Sequence, residues 1–269
     1  MARGAGDGTV GKALEVLDQV ADFGRPVRFA ELLADSDFPK PTLYRLLQTL
    51  TSQGMLAYEP DRHTYAPGAR LMKFAHAAWS QSTLAQVARP HMDSLSAATG
   101  ETVHLAQLDS AQVLYLDKRN ATNPVEMYSQ AGKVGPAYCT GVGKAMIAFL
   151  PPETADTVIG QQSFHVFTPH TLGSAEALRE ELVDIRANGY GFDREEHEPG
   201  IICVAMPILT DNDRVLGALS VTSTTTRTNL AGLEQQVPQL RIAAQAIAAE
   251  AKNWSFPDHQ SQHSTTTGG

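Results

Sequence analysis

The sequence predicts an α+β protein: an N-terminal winged helix-turn-helix, then a larger unit built around an antiparallel sheet. Three features carry that expectation. In "PKPTLYRLLQTLTSQGML" (residues 39–56), Leu43, Leu46, Leu47 and Leu50 recur at i, i+3, i+4 and i+7, the spacing of one buried helix face. Two short extended runs follow, joined by the Pro- and Asp-rich turn "EPDRH". Further along, two pairs of apolar runs each flank a polar turn, as hairpins do.

Taken in order, residues 11–23 place Ala13, Val16, Leu17, Val20 and Ala21 on one helical face. Phe29–Ala34 reads as a second, shorter helix, and residues 42–53 as the third. Pro41 suits a first turn, where its missing N–H is not needed, and Gly54 lies where a helix ends. Met55–Tyr58 and Thr64–Ala66 form the wing. From Gly68 to about Ala98 the pattern is helical, with a break expected near Pro90. "TVHLAQL" and "QVLYLDK" flank Asp109-Ser110 as the first hairpin; "IICVAMPIL" and "RVLGALSVT" flank the turn at 211–213 as the second. Helices are expected over 142–150, 153–159 and 175–188, and one long helix over about Leu230–Ala251. The polar end, "HQSQHSTTTGG", reads as disordered.

With 269 residues, 42% hydrophobic and 19% charged, the chain suits two globular domains with sizeable cores. No apolar run approaches the roughly 20 residues of a membrane span, and "MARGAGDGTV" lacks a signal peptide's apolar stretch. A cytoplasmic protein without membrane partners is expected. Cys139 and Cys203 are the only cysteines, which excludes a multi-cysteine zinc site. The net charge is −8, yet residues 1–80 hold nine basic and nine acidic side chains, so the deficit lies entirely beyond them. Such a balance permits DNA binding through a local basic face without arguing for it.

The third helix supplies such a face. Its leucines turn inward, leaving Thr42, Tyr44, Arg45, Gln48 and Thr49 outside, with Lys40 and Pro41 at the N-terminal end. A major groove admits one helix, whose N-terminal residues reach base edges first. Arg45 can pair with a guanine, Lys40, Thr42 and Tyr44 with phosphates, and Arg62 at the wing tip with the backbone or minor groove.

The chain resembles the IclR family of bacterial transcriptional regulators from about Thr9 to Ala251. The resemblance rests on "FPKPTLYRLLQTLTSQGML", "GETVHLA", "GPAYCTGVGKAMIAFLP", "ELVDIRANGYGFDREEHEPGIICVAMPI" and "ALSVTS". It implies a winged-helix DNA-binding domain at 9–67, a linker helix at 68–82 and a GAF/PAS-like effector domain at 83–251, with 252–269 a disordered tail. The function implied is a transcriptional regulator, expected to repress, whose operator affinity responds to a small organic acid or sugar-acid-like effector. Homodimers through the N-terminal domains, often paired into dimers of dimers, imply a near-palindromic double-stranded operator. Apolar side chains on helix 11–23 and at Leu71, Met72, Phe74 and Trp79 are expected to face a second copy. Carried over from the family, the effector site comprises Met127, Gly141, Val142, Asp193, Ile201, Cys203, Ser220 and Thr222. Ser220 and Thr222 lie two apart on a strand and share a face.

Other readings of the same residues stand beside this one. In "CTGVGKAM" the glycines can expose helix-terminal N–H groups to a carboxylate or simply permit tight packing; the spacing is not that of a nucleotide-binding loop. The acidic run "GFDREEHEPG" reads as a solvated loop rather than as paired carboxylates for acid–base work. His104, His197, Cys203 and Asp193 lack the close spacing of metal ligands, and no metal or cofactor is expected. Cys139 at a helix start suggests the alternative of a GAF-type redox enzyme or sensor, or a cysteine hydrolase, though no triad accompanies it. A DNA-binding protein whose second domain serves only assembly is the third possibility.

Overall fold

The structure, a computed structural model, describes residues 8–81, 83–125 and 127–251; the side chains of residues 76, 78–81 and 83 lie outside that description. Trp79 and the "HQSQHSTTTGG" tail therefore fall outside it too. The chain divides into two compact units between Gln81 and Ser82.

In the first unit, α1 (Thr9–Asp22), α2 (Phe29–Ala34) and α3 (Lys40–Ser52) enclose one apolar core. From α1 come Val16, Leu17 and Val20; Ala21, expected on that face, is exposed because its position has rotated past the contact with α3. All four leucines of α3 are buried. After Ser52 the helix closes in paired reverse bonds: Met55 N–H donates to Leu50 O (2.9 Å) and Gly54 N–H to Thr51 O (3.0 Å). Gly54 takes φ +71°, open to glycine and strained for other residues. The expected two-stranded wing, β2 (Leu56–Glu59) and β3 (Thr64–Pro67), gains a third strand, β1 (Val27–Arg28), in the order β1-β3-β2. Two residues are too few for alternation to register in sequence. α4 (Ala69–Gln81) follows, and its Arg70 donates to Gln53 O at 3.0 Å, satisfying a carbonyl at the end of α3.

The second unit opens with α5 (Thr83–Thr99), which runs through Pro90 without the expected break. Pro90 lies on the exposed face, while Leu84, Ala88, Met92 and Leu95 are buried on both sides of it and hold the helix together. A six-stranded sheet follows, antiparallel throughout, in the order β6-β5-β4-β9-β8-β7. Its members are β4 (Thr102–Asp109), β5 (Gln112–Arg119), β6 (Val134–Pro136), β7 (Gly191–Arg194), β8 (Ile201–Leu209) and β9 (Val215–Thr224). The first hairpin turns at Ser110-Ala111, one residue later than expected. Both have positive φ (48° and 64°), as a two-residue loop of matching twist requires, although neither is glycine.

β8 is buried along nearly its whole length, so it is covered on both faces. Cys203 and Ala205 point to the core beneath α6 (Gly141–Ile147), while Met206 meets α10 (Val237–Ala251). α7 (Pro152–Gly160) and α8 (Ala175–Asn188) complete the α6 side, and Gly189 ends α8 at φ +79°. The single closing helix expected over 230–251 is two, α9 (Leu230–Glu234) and α10. Pro238 has no N–H for a continuing helix and restricts Val237 before it, so the helix restarts there.

Candidate functional site

The outward face of α3 carries Lys40, Pro41, Tyr44, Arg45 and Gln48, all exposed, with Thr42 half-buried beside them. Thr49 is exposed, but its hydroxyl donates back to Arg45 O (2.9 Å) and serves its own helix. Tyr44 meets Phe29 of α2 edge-on at 6.1 Å, which fixes its ring at the base of the helix. Arg62 is exposed in the wing turn, next to His63, whose Nδ1 lies 2.8 Å from the Tyr58 hydroxyl. Lys40, Arg45 and Arg62 are exposed, and among the described residues none of them forms an ion pair with a carboxylate. Beyond this face, Val10 and Leu14 of α1 and Met72 and Phe74 of α4 are exposed, whereas Leu71, expected with them, packs against the core.

In the second unit a cavity of about 30 Å³ lies between the start of α6 and the sheet. It gathers Gly141 and Val142 from α6, Asp193 from β7, Ile201 and Cys203 from β8, and Ser220 and Thr222 from β9. Met127 is buried but does not line it. His104 from β4, Tyr115 from β5, Ser129 and Thr140 add polar wall, and Tyr128, His197 and Glu198 form a roof. None of these seven is expected from the sequence to line an effector site; His104 and His197 are weighed there with Cys203 and Asp193 only as metal ligands, and the histidine interrupting the apolar run "TVHLAQL" is the signal that could have placed one of them. α6 approaches β8 so closely that a Cβ on Gly141 would stand 2.5 Å from Cys203 Sγ, and one on Gly143 2.3 Å from Ala137 O. Gly143 therefore answers to packing alone, while Gly141 serves both packing and the cavity wall. Thr140, at the N-cap of α6, turns its hydroxyl to Pro136 O (2.8 Å) and caps nothing, so the first amides of α6 lack a side-chain acceptor.

Family models match both units: the IclR helix-turn-helix domain over residues 9–60 and the bacterial transcriptional regulator IclR C-terminal domain over 76–249. The chain belongs to the IclR family. It is 32% identical over 240 residues to the HTH-type transcriptional regulator XynR of Escherichia coli, covering 89% of this chain and 95% of that one. To the transcriptional repressor IclR of the same organism it is 28% identical over 218 residues, 80% of each chain. Its fold matches the crystal structure of an IclR homolog complexed with 4-hydroxybenzoate from Microbacterium hydrocarbonoxydans, with a TM-score of 0.77 at 23% identity over 92% of this chain and 100% of that one. The chain is thus a DNA-binding transcriptional regulator and not an enzyme. Among its described residues, no helix is long and apolar enough to cross a membrane.

The electrostatics of this IclR-family cavity follow from burial. Asp193 accepts from Glu196 N–H (2.8 Å), but desolvation, aided by the charge of Glu196, pushes its carboxyl up to about 7. Burial and then the charge of Lys118 press His104 down to about 3, so its imidazole is neutral. The acidic run is no solvated loop throughout. Glu196 is buried against Lys144, itself fully buried, and Lys144 also reaches Glu181 at 3.3 Å. Arg194 completes the group at 2.5 Å from Glu181. Cys139 is fully buried and desolvation raises its thiol, as it does that of Cys203, which removes the thiolate that a nucleophile or redox centre needs. Among the described residues, no group of three or more His, Cys, Asp or Glu side chains is arranged to hold a metal ion.

Proposed function

We propose that the regulator binds a near-palindromic operator as a dimer, reading it through Lys40, Pro41, Thr42, Tyr44, Arg45 and Gln48 of α3 and Arg62 of the wing. A short hydroxy or keto acid in the α6–sheet cavity changes that affinity. The domains are a DNA-binding head at 9–67, a linker helix at 68–82 and an effector domain at 83–251, acting in the cytoplasm as a repressor. The likeness to the E. coli repressor supports the sign of regulation.

The observation that carries the effector reading is the meeting of an uncapped helix start with buried hydroxyls in one small cavity. A carboxylate suits the amides of Gly141 and Val142, and Ser220 and Thr222 suit an oxygen nearby. About 30 Å³ is a few times the roughly 10–15 Å³ that one water needs, which favours a short acid. An aromatic acid such as the Microbacterium protein's 4-hydroxybenzoate would need the Tyr128–His197 roof to part. Val10, Leu14, Met72 and Phe74 supply apolar surface for the second copy.

Fluorescence anisotropy on an operator fragment, with and without lactate or pyruvate, tests the coupling. Typical coupling is about 1–3 kcal/mol, a shift of roughly 5- to 150-fold; an unchanged operator affinity across the acid series overturns it. Sedimentation at micromolar concentration checks the dimer, and a monomer there would exclude it.

A further inference from the structure

We propose that His104 is a specificity-determining residue of this cavity, restricting it to acids that carry a hydroxyl or keto oxygen beside the carboxylate. The inference rests on the reading of the cavity as a short-acid site. His104 stands on β4 opposite Ser220 of β9 and is 2% exposed. Its Nδ1 lies 3.2 Å from Thr222 Oγ1 and 3.4 Å from Ser220 Oγ, and those two hydroxyls are 3.3 Å apart. Its Nε2 lies 2.9 Å from Ser129 Oγ. The ring is held edge-on to Tyr115 at 5.5 Å.

A neutral imidazole has one N–H, so one ring nitrogen donates and the other accepts. With the proton on Nε2, the ring donates to Ser129 and accepts from Thr222 or Ser220. With the proton on Nδ1, every direction reverses. The Ser220–Thr222 pair, bordering the cavity, can therefore turn a proton or a lone pair toward a ligand without any change in charge. A keto oxygen takes the proton; a hydroxyl supplies one and takes the lone pair. With the carboxylate at the Gly141 and Val142 amides, the Ser220 and Thr222 hydroxyls of the same cavity are the groups we assign to the oxygen on the next carbon. A methylene there satisfies neither and leaves the buried chain facing an apolar group. Sites built to bond an oxygen reject the analogue lacking it far more strongly than apolar pockets separate methylenes.

The test is calorimetry on the full chain with lactate, pyruvate and propionate. The wild type should bind lactate and pyruvate at least about 100-fold more tightly than propionate. His104→Leu should bring that ratio close to one, and His104→Asn, which keeps a polar group near the Nδ1 position, should recover part of it. A ratio of affinities is blind to general loosening of the fold. Ser129→Ala removes the Nε2 partner and should also lower the ratio, which keeps the test decisive if His104→Leu does not fold. Equal wild-type affinities for all three acids, or a ratio unchanged in the folded variants, would overturn the assignment of His104 while leaving the short-acid site standing. Binding of none of the three by the wild type would overturn the short-acid reading, and the assignment with it.

Discussion

The two units hold their charges in opposite ways. In the head, Lys40, Arg45 and Arg62 point outward on an exposed helix face and a wing turn, and the core beneath them is wholly apolar or aromatic. In the second unit the charges lie inside: Lys144, Glu196 and Asp193 are buried between α6, β7 and the loop after it. An outward charge can change partners without disturbing the fold. An inward one is part of the fold, so altering the cavity also alters stability. Function is therefore separable from stability by mutation in the head but entangled with it in the second unit.

The sharpest break in that contrast would come at Lys144. Lys144→Ala leaves Glu196 buried without its cation and should destabilise the second unit by about 3–5 kcal/mol, read as a lowered thermal transition. An effect below about 1 kcal/mol would mean that the inner charges do not hold the fold.

Asp193 comes next, and its effect depends on pH. Its folded carboxyl, near 7, lies above its ordinary 3.8, so the folded state binds the extra proton and stability falls as pH rises from about 4 to about 7. Fully developed above pH 7, the loss has an upper limit on the order of 4 kcal/mol. Asp193→Asn should remove it: equal to wild type near pH 4, more stable at pH 8. A gap that does not widen with pH would contradict a buried, proton-bearing Asp193.

In the head the effects are smaller and appear only in DNA binding. Arg45→Ala should cost about 1–3 kcal/mol on the operator and relax base preference, with the thermal transition within about 0.5 kcal/mol of wild type. Equal losses on operator and random duplex would show that Arg45 reads no base. Lys40→Ala should weaken all duplexes alike and lower the salt slope by about 1; a sequence-dependent loss would place Lys40 at a base instead.

The same contrast explains what could be read from the sequence. The helix of the head declares itself locally, because one leucine stripe fixes both the buried and the exposed face. The α6–sheet cavity does not. Its residues come from β4, β5, β7, β8, β9 and α6, and the His104–Ser220 contact spans 116 positions. Seven of the eight expected lining residues meet there through likeness to a family, not through any local spacing. Glu196 looked solvated because nothing in "GFDREEHEPG" announces Lys144, more than fifty residues earlier. β1, β6 and β7, at two to four residues, are too short for a period to show. Pro90 misled because tertiary burial on its flanks outweighs one missing hydrogen bond.

The roof of the cavity is cross-linked within itself and fastened to β6, where the Tyr128 hydroxyl donates to Val134 O at 2.8 Å. Tyr128 N–H donates to the Glu198 carboxylate at 2.9 Å, its ring packs on His197 at 5.1 Å, and Phe167 backs His197 at 4.8 Å. On the proposed reading, an acid seated beneath these rings would leave only when they part, so its residence time would follow the opening of the roof as well as its own contacts. The head would then respond with a delay when acid is withdrawn, and brief dips in supply would pass without releasing or engaging the operator.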